Sequence, residues 1–359
     1  LIHLSSPSLV GREREYVLDC LDREELSSVG CYVSRFEKEF AKFTDSTYAV
    51  ACCNGTAALH LAILSTGIRP GDKVLLPALT YVATANAVRY CGGIPIFCDV
   101  DPKTWCLDPN DVVRHLKSGV KASIILPVHL YGVVCDMTAL GRIAKAYGCF
   151  LVEDAAEAHG AEWEGHRVGG ISDLGVFSFY GNKLVSSGEG GMVVTDSVGA
   201  NEVMRLHRGQ GVSAGNRYYH SVIGYNYRLT NIQAAIALGQ LETLGQRLVA
   251  HRRVADYYRA RLSEFETQDT YENTTRVDWL FALLVPEGVD RDRVAERMKE
   301  KGIETRPVFI PMTQLPMYMA PTPENAQRIA SRGLCLPTHA GLSEEDIETV
   351  VSGFQEVVQ

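Results

Sequence analysis

The sequence predicts an α/β protein: a large domain with a mostly parallel seven-stranded sheet flanked by helices, then a smaller C-terminal α+β domain. Three observations predict it. From about residue 45 to 200, short apolar runs alternate with amphipathic stretches, the pattern of parallel strands joined by covering helices. A long apolar-periodic stretch over 229–251 opens on Thr230 and Asn231, both good helix-capping types, and reads as one helix bridging two lobes. The length, 359 residues, exceeds one small core and suits two domains, drawn at 1–245 and 246–359.

Strands are expected at 48–52, 73–76, 95–100, 122–126, 149–153, 175–179 and 192–195, where apolar residues run continuously. Between them, 56–64, 83–90 and 137–147 carry apolar residues at helical spacing. In the second lobe, 279–285 reads as a strand, 291–301 as a helix closed by Gly302, and 343–358 as a final helix. The net charge of −8 comes without a basic block, which argues against a nucleic-acid partner. Ten cysteines lie scattered, with no C-x-x-C pair, so they read as reduced core residues and no metal is expected. No apolar run approaches the length that spans a bilayer, and Leu1 to Ser8 has no leader pattern. A cytoplasmic protein with no membrane partner is the expectation.

Chemistry is sought where strands end, because open α/β sheets place ligands beyond their carboxyl edges. The run Cys149-Phe-Leu-Val-Glu-Asp154 ends in two carboxylates, and Asp154 stands at that edge. Lys183 follows twenty-nine residues later, between a strand end and a run holding Gly188, Gly190 and Gly191. Glycines there let backbone approach a ligand, which makes Lys183 a candidate Schiff-base lysine. An aldehyde cofactor needs an amine, an acid for its pyridine nitrogen, donors for its phosphate and a ring to stack on it. Lys183 and Asp154 supply the first two. Asn54-Gly55-Thr56-Ala57 follows a strand and opens a helix, so its free N–H groups form an anion site, helped by the Thr56 and Ser178 hydroxyls. Tyr81 is placed to stack on the ring. His159 can face the cofactor edge or fill a turn, and Arg306 is a candidate clamp for a diphosphate or carboxylate. His220 and His339 are candidate contacts to a sugar or its diphosphate.

Five segments together carry a resemblance: Asn54-Gly-Thr-Ala57, Glu153-Asp-Ala-Ala-Glu-Ala158, Ser178-Phe-Tyr-Gly-Asn-Lys183, Gly188-Glu-Gly-Gly-Met192 and Gly224-Tyr-Asn-Tyr-Arg228. The chain resembles, over essentially its whole length, the DegT/DnrJ/EryC1/StrS sugar aminotransferases, which have the type I fold of pyridoxal phosphate enzymes. The resemblance implies pyridoxal 5'-phosphate on Lys183, with pyridoxamine 5'-phosphate formed in the half-reaction. It implies Asp154 at the pyridine nitrogen, Gly55, Thr56, Ala57 and Ser178 around the phosphate, and Tyr81 on the ring. Glu157 matches a position that is often Gln in relatives and lies near the ring hydroxyl. Asn226 matches a residue that reaches the neighbouring subunit's phosphate, which implies a homodimer with shared sites.

Within the family the pattern is most similar to the perosamine-forming branch, through Pro127-Val-His-Leu-Tyr-Gly132, Arg306-Pro-Val-Phe309 and Leu336-Pro-Thr-His-Ala-Gly341. That similarity implies glutamate as donor, 2-oxoglutarate as by-product and a nucleotide-linked 4-keto sugar, GDP-4-keto-6-deoxymannose, as acceptor. The segment from Glu24 to Gly30 departs from relatives, which commonly have Trp in place of Glu25. Relatives with His at the lysine position are dehydratases, and a non-catalytic cofactor-binding regulator is a further alternative; Lys183 opposes the first.

Overall fold

A computed structural model describes residues 1–213, 215–216 and 218–358. Seven strands make the main sheet: β1 (Tyr48–Cys52), β2 (Lys73–Pro77), β3 (Ile94–Cys98), β4 (Ala122–Ile125), β5 (Phe150–Asp154), and later β8 (Leu174–Ser178) and β9 (Gly191–Thr195). A small hairpin, β6 (Glu162–Trp163) and β7 (His166–Arg167), intervenes. The order is β1-β9-β8-β5-β4-β2-β3, and only β9 runs antiparallel to its neighbours. The expected strands therefore form, with the third one shifted to start at Ile94. Val152, Leu174, Val176 and Val193 are wholly or almost wholly buried, as continuous apolar runs require when helices cover both sheet faces.

The helices Gly55–Ser65, Val82–Tyr90 and Met137–Tyr147 form close to their expected bounds. The 229–251 stretch does not form one helix. It divides into Asn231–Glu242, with a Thr230–Gln233 capping box, and Leu244–Arg261. The joint is Thr243, whose backbone leaves helical values (φ −113°, ψ 10°) and whose hydroxyl donates back to Gly239 C=O at 3.1 Å. The second helix still links the lobes, since Leu244 packs with the main core and Val254 and Tyr258 with the C-terminal one. Two unexpected helices, Glu13–Asp22 and Cys31–Phe43, pack against the first.

The C-terminal core surrounds a second antiparallel sheet, β11 (Phe281–Leu284), β13 (Gly333–Leu336) and β12 (Arg306–Pro307), after a two-residue strand β10 (Thr274–Thr275). Helices Arg291–Glu300 and Glu344–Val358 cover it. Among the described residues, no helix is long and apolar enough to cross a bilayer.

Candidate active site

A cavity of about 410 Å³ opens at the carboxyl edge of the main sheet. Its floor is Asp154, the last residue of β5, which is 4% exposed. Thr84 Oγ1 donates to Asp154 Oδ2 at 2.8 Å and Ala156 N–H to Oδ1 at 3.2 Å. Burial nevertheless pushes the Asp154 carboxyl up, with those donors and the Lys183 charge working against it. A cation on that floor would be strongly favoured.

Lys183 follows β8 on a loop and enters the same cavity. Its Nζ donates to Glu157 Oε1 at 3.2 Å and lies 3.6 Å from the centre of the Trp279 ring. Burial lowers the amine's pKa, while Glu157 and Asp154 oppose the shift. Glu157 is pushed up by the same burial, against Lys183 and the Tyr131 N–H, which donates to its Oε2 at 2.9 Å. Burial thus works against the charge on each group, and their mutual contact works for it.

Tyr131 presents that N–H from a short turn, Leu130–Gly132, in which its own φ is 55°. Such a conformation costs a non-glycine residue roughly 1–3 kcal/mol. Gly132 (φ 94°) sits so close to Val277 that a Cβ would fall 2.0 Å from its carbonyl oxygen. Val277 N–H in turn donates to Gly132 C=O, which sets the chain leading to Trp279. Trp279 Nε1 donates to Asn182 C=O at 2.6 Å and so ties the second lobe to the Lys183 loop.

On the opposite wall, helix Gly55–Ser65 begins directly after β1. The N–H groups of Gly55 and Thr56 have no intrahelical acceptor, whereas Asn54 Oδ1 takes the Ala57 N–H at 2.8 Å. Ala57, expected with them, is absent from the cavity wall. Gly55 lies against Ser178: a Cβ would come 2.8 Å from Ser178 Cβ. Tyr81, 57% exposed, lines the rim with its ring centre 5.7 Å from that of Phe309. Arg306, at the start of β12, also lines the cavity.

An aldehyde cofactor with a phosphate tail fits these residues. An amine and an acid share one floor, unspent N–H groups and two hydroxyls lie across from them, and Asn182 Oδ1 is buried in the wall with no hydrogen-bond partner among the described residues.

Other expected residues lie elsewhere. His220 is exposed with Nδ1 against Gln210 C=O at 2.8 Å, and His339 is buried in the small lobe, its Nδ1 taking the Gly341 N–H at 3.2 Å. Neither lines the cavity, because each chain segment folds back on its own lobe. Asn226 is exposed, accepts from Arg228 Nη2 at 3.1 Å, and stands outside its own chain's cavity. His159 packs between Phe177 and Phe179 behind the site. Sequence reasoning missed Thr84, Tyr131, Trp279 and Phe309; the first sits three residues from Tyr81, and the others needed the tertiary fold. Cys98, Asp111 and His115 also bring potential metal ligands within 4.8 Å of one another, but both Asp111 oxygens already accept from Arg114 and Asp99 N–H.

The pattern of the DegT/DnrJ/EryC1/StrS aminotransferase family matches residues 7–355. GDP-perosamine synthase of Caulobacter vibrioides is 42% identical across 99% of this chain and 98% of its own. GDP-perosamine synthase of Escherichia coli O157:H7 is 40% identical over the same shares. The crystal structure of S. venezuelae DesV, in complex with a ketimine intermediate, superposes with a TM-score of 0.90 at 31% identity, covering 97% of this chain and 94% of that one.

Proposed function

This chain belongs to the DegT/DnrJ/EryC1/StrS aminotransferase family, and we propose that it moves an amino group from glutamate to the 4-keto carbon of GDP-4-keto-6-deoxymannose. The product would be GDP-perosamine, for a surface polysaccharide or related glycan. That it is a pyridoxal phosphate-dependent sugar aminotransferase follows from the family and its solved members. The GDP-sugar assignment is supported by near-full-length identity of 40–42% to two GDP-perosamine synthases.

One observation carries the site assignment: the largely covered Lys183 amine and the buried Asp154 acid line a single cavity at the sheet's carboxyl edge. Lys183 would hold the cofactor's aldehyde carbon and Asp154 its ring nitrogen, with Gly55, Thr56 and Ser178 near its phosphate and Tyr81 on its face. When bound, the cofactor supplies an electron sink for a carbon acid. Lys183 Nζ, whose charge burial disfavours, would take a proton from the donor's α-carbon and return one during the shift. Asp154 holds the proton on the ring nitrogen. Glu157 keeps the amine aimed between reacting carbons, and Trp279 and Phe309 exclude water from it. Arg306 is suited to a substrate carboxylate or phosphate.

A homodimer with shared sites is part of the reading. Asn226 stands outside its own chain's cavity, and Ile223 close by is 86% exposed, as an interface residue would be. We place the enzyme in the cytoplasm, where nucleotide sugars are made.

The test offers GDP-, UDP- and dTDP-linked 4-keto sugars with glutamate and identifies products by mass. The expected result is an aminated GDP sugar plus 2-oxoglutarate, lost in Lys183→Ala, which also loses the borohydride-fixable cofactor. Amination of the UDP or dTDP sugar alone overturns the nucleotide; no conversion by glutamate at all supports a regulatory cofactor-binding role instead.

A further inference from the structure

Glu153 takes no part in the chemistry above, yet it is wholly buried and saturated with donors. Side chains alternate across a strand, so Glu153 points behind the sheet while Asp154 faces the cavity. Its carboxyl accepts Gly169 N–H at 2.7 Å, Ser172 N–H at 3.0 Å, Ile171 N–H at 3.2 Å and His129 Nε2 at 3.0 Å. Cys135 N–H donates to His129 Nδ1 at 3.2 Å, which leaves the ring proton at Nε2, aimed at Glu153.

His129 is also fastened through its backbone. Its N–H donates to Asp154 C=O at 3.1 Å, and Asp154 N–H donates to Pro127 C=O at 2.9 Å. Two residues on, the left-handed Tyr131 offers its N–H to Glu157, whose other oxygen meets Lys183 Nζ. A strained turn persists only where its surroundings over-determine it. The imidazole between Glu153 and Cys135 is a buried polar anchor at the mouth of that turn.

We propose that the His129–Glu153 pair is a positioning device: by fixing the turn after β4 it makes Tyr131 N–H hold the Glu157 carboxyl against Lys183 Nζ. The inference rests on Lys183 being the cofactor amine. An apolar residue at 129 would leave Cys135 N–H without an acceptor and Glu153 one donor short, so the turn would relax and Glu157 drift from the amine. Glu157, Asp154 and Arg306 are the charged groups acting on Lys183, with His159 behind it; only Glu157 is reached through the turn.

The experiment follows the visible absorbance of the Lys183-bound cofactor against pH in the parent, His129→Phe and His129→Gln, each also combined with Glu157→Gln. A nearby carboxylate favours the protonated nitrogen, so His129→Phe should lower the midpoint by about one pH unit, the scale of one charge-assisted contact. His129→Gln, whose amide reaches the Nε2 position, should restore the parent midpoint. With Glu157→Gln already present, His129→Phe should add no further shift. A folded His129→Phe with the parent midpoint, or an equal shift in both backgrounds, overturns the proposal and leaves His129 a core residue. If His129→Phe does not fold, His129→Asn, too short to reach Glu153, must show the same downward shift; an unchanged midpoint there counts equally against it. A parent whose absorbance does not depend on Lys183 instead defeats the Lys183 reading, and this inference with it.

Discussion

Replacing Asp154 with asparagine separates what the acid does for the fold from what it does for the chemistry. The side chain is 4% exposed, and burial already pushes its carboxyl up, so the fold gains little from a charge there. Asparagine has the same shape. Its oxygen can keep the Ala156 N–H, and the Thr84 hydroxyl, 3.1 Å from the Thr80 hydroxyl, can turn to accept from the new amide. The melting temperature without cofactor should therefore stay level or rise. The lost attraction to a protonated ring nitrogen is the larger effect: unit charges about 4 Å apart at an effective dielectric near 20 interact by ~4 kcal/mol. That is about three pKa units, or a rate loss of about 10³-fold if ring protonation limits the proton shift. The assay is single-turnover conversion of the bound cofactor by glutamate, followed by absorbance, beside a thermal melt. A rate within tenfold of the parent refutes the assignment of Asp154 to the ring, and a large fall in melting temperature would show that its role is structural.

Gly55→Ala places a methyl 2.8 Å from Ser178 Cβ and should push the helix start away from β8. Cofactor affinity, measured by titrating the apoprotein, should weaken about tenfold or more, corresponding to ~1.4 kcal/mol, with the fold intact; unchanged affinity would remove the phosphate from that wall. Mild acid should destabilise the protein through its buried histidines. Burial holds His159 down to about 3 and His251 down to about 4, against about 6.5 in an unfolded chain. Between those values the unfolded state binds more protons, so stability falls as pH drops below about 6.5, by roughly 2 kcal/mol per site at pH 5. His251→Gln, which can still donate to Asp278 C=O, should flatten the melting temperature between pH 7 and 5; superimposable profiles for parent and variant would reject this account.

The sheet and its two key residues were legible because they depend on local pattern. Continuous apolar runs announce buried parallel strands, and residues at strand ends inherit a place at the carboxyl edge, so Asp154 and Lys183 could be paired across twenty-nine residues. Trp279 was not legible as a site residue. It reaches Lys183 only because Val277 bonds Gly132, a contact between segments more than a hundred residues apart. Tyr131 acts through a backbone N–H and a left-handed φ, neither of which side-chain identity reveals. The break at Thr243 was hidden because the apolar spacing continues through it, and a single residue leaving helical dihedrals alters no period. His220 and His339 are candidates by residue type, His339 also because it ends an apolar run, and neither feature fixes which way a side chain faces in the fold.

How fully each acid is satisfied also separates scaffold from site. A carboxylate offers about four acceptor positions. Glu153, behind the sheet, has four donors; Asp154 and Glu157, on the cavity side, have two each. A buried acid left half-satisfied costs stability unless something else completes it. The difference arises between two adjacent residues of one strand, one facing the packed interior and one the cavity. The unspent capacity of Asp154 points into the same space as the partnerless Asn182 Oδ1 and the amine of Lys183. A polar, cationic ring set there would complete Asp154 at the place where the protein itself stops supplying donors, and ligand binding should accordingly raise the melting temperature, by less in Asp154→Asn than in the parent.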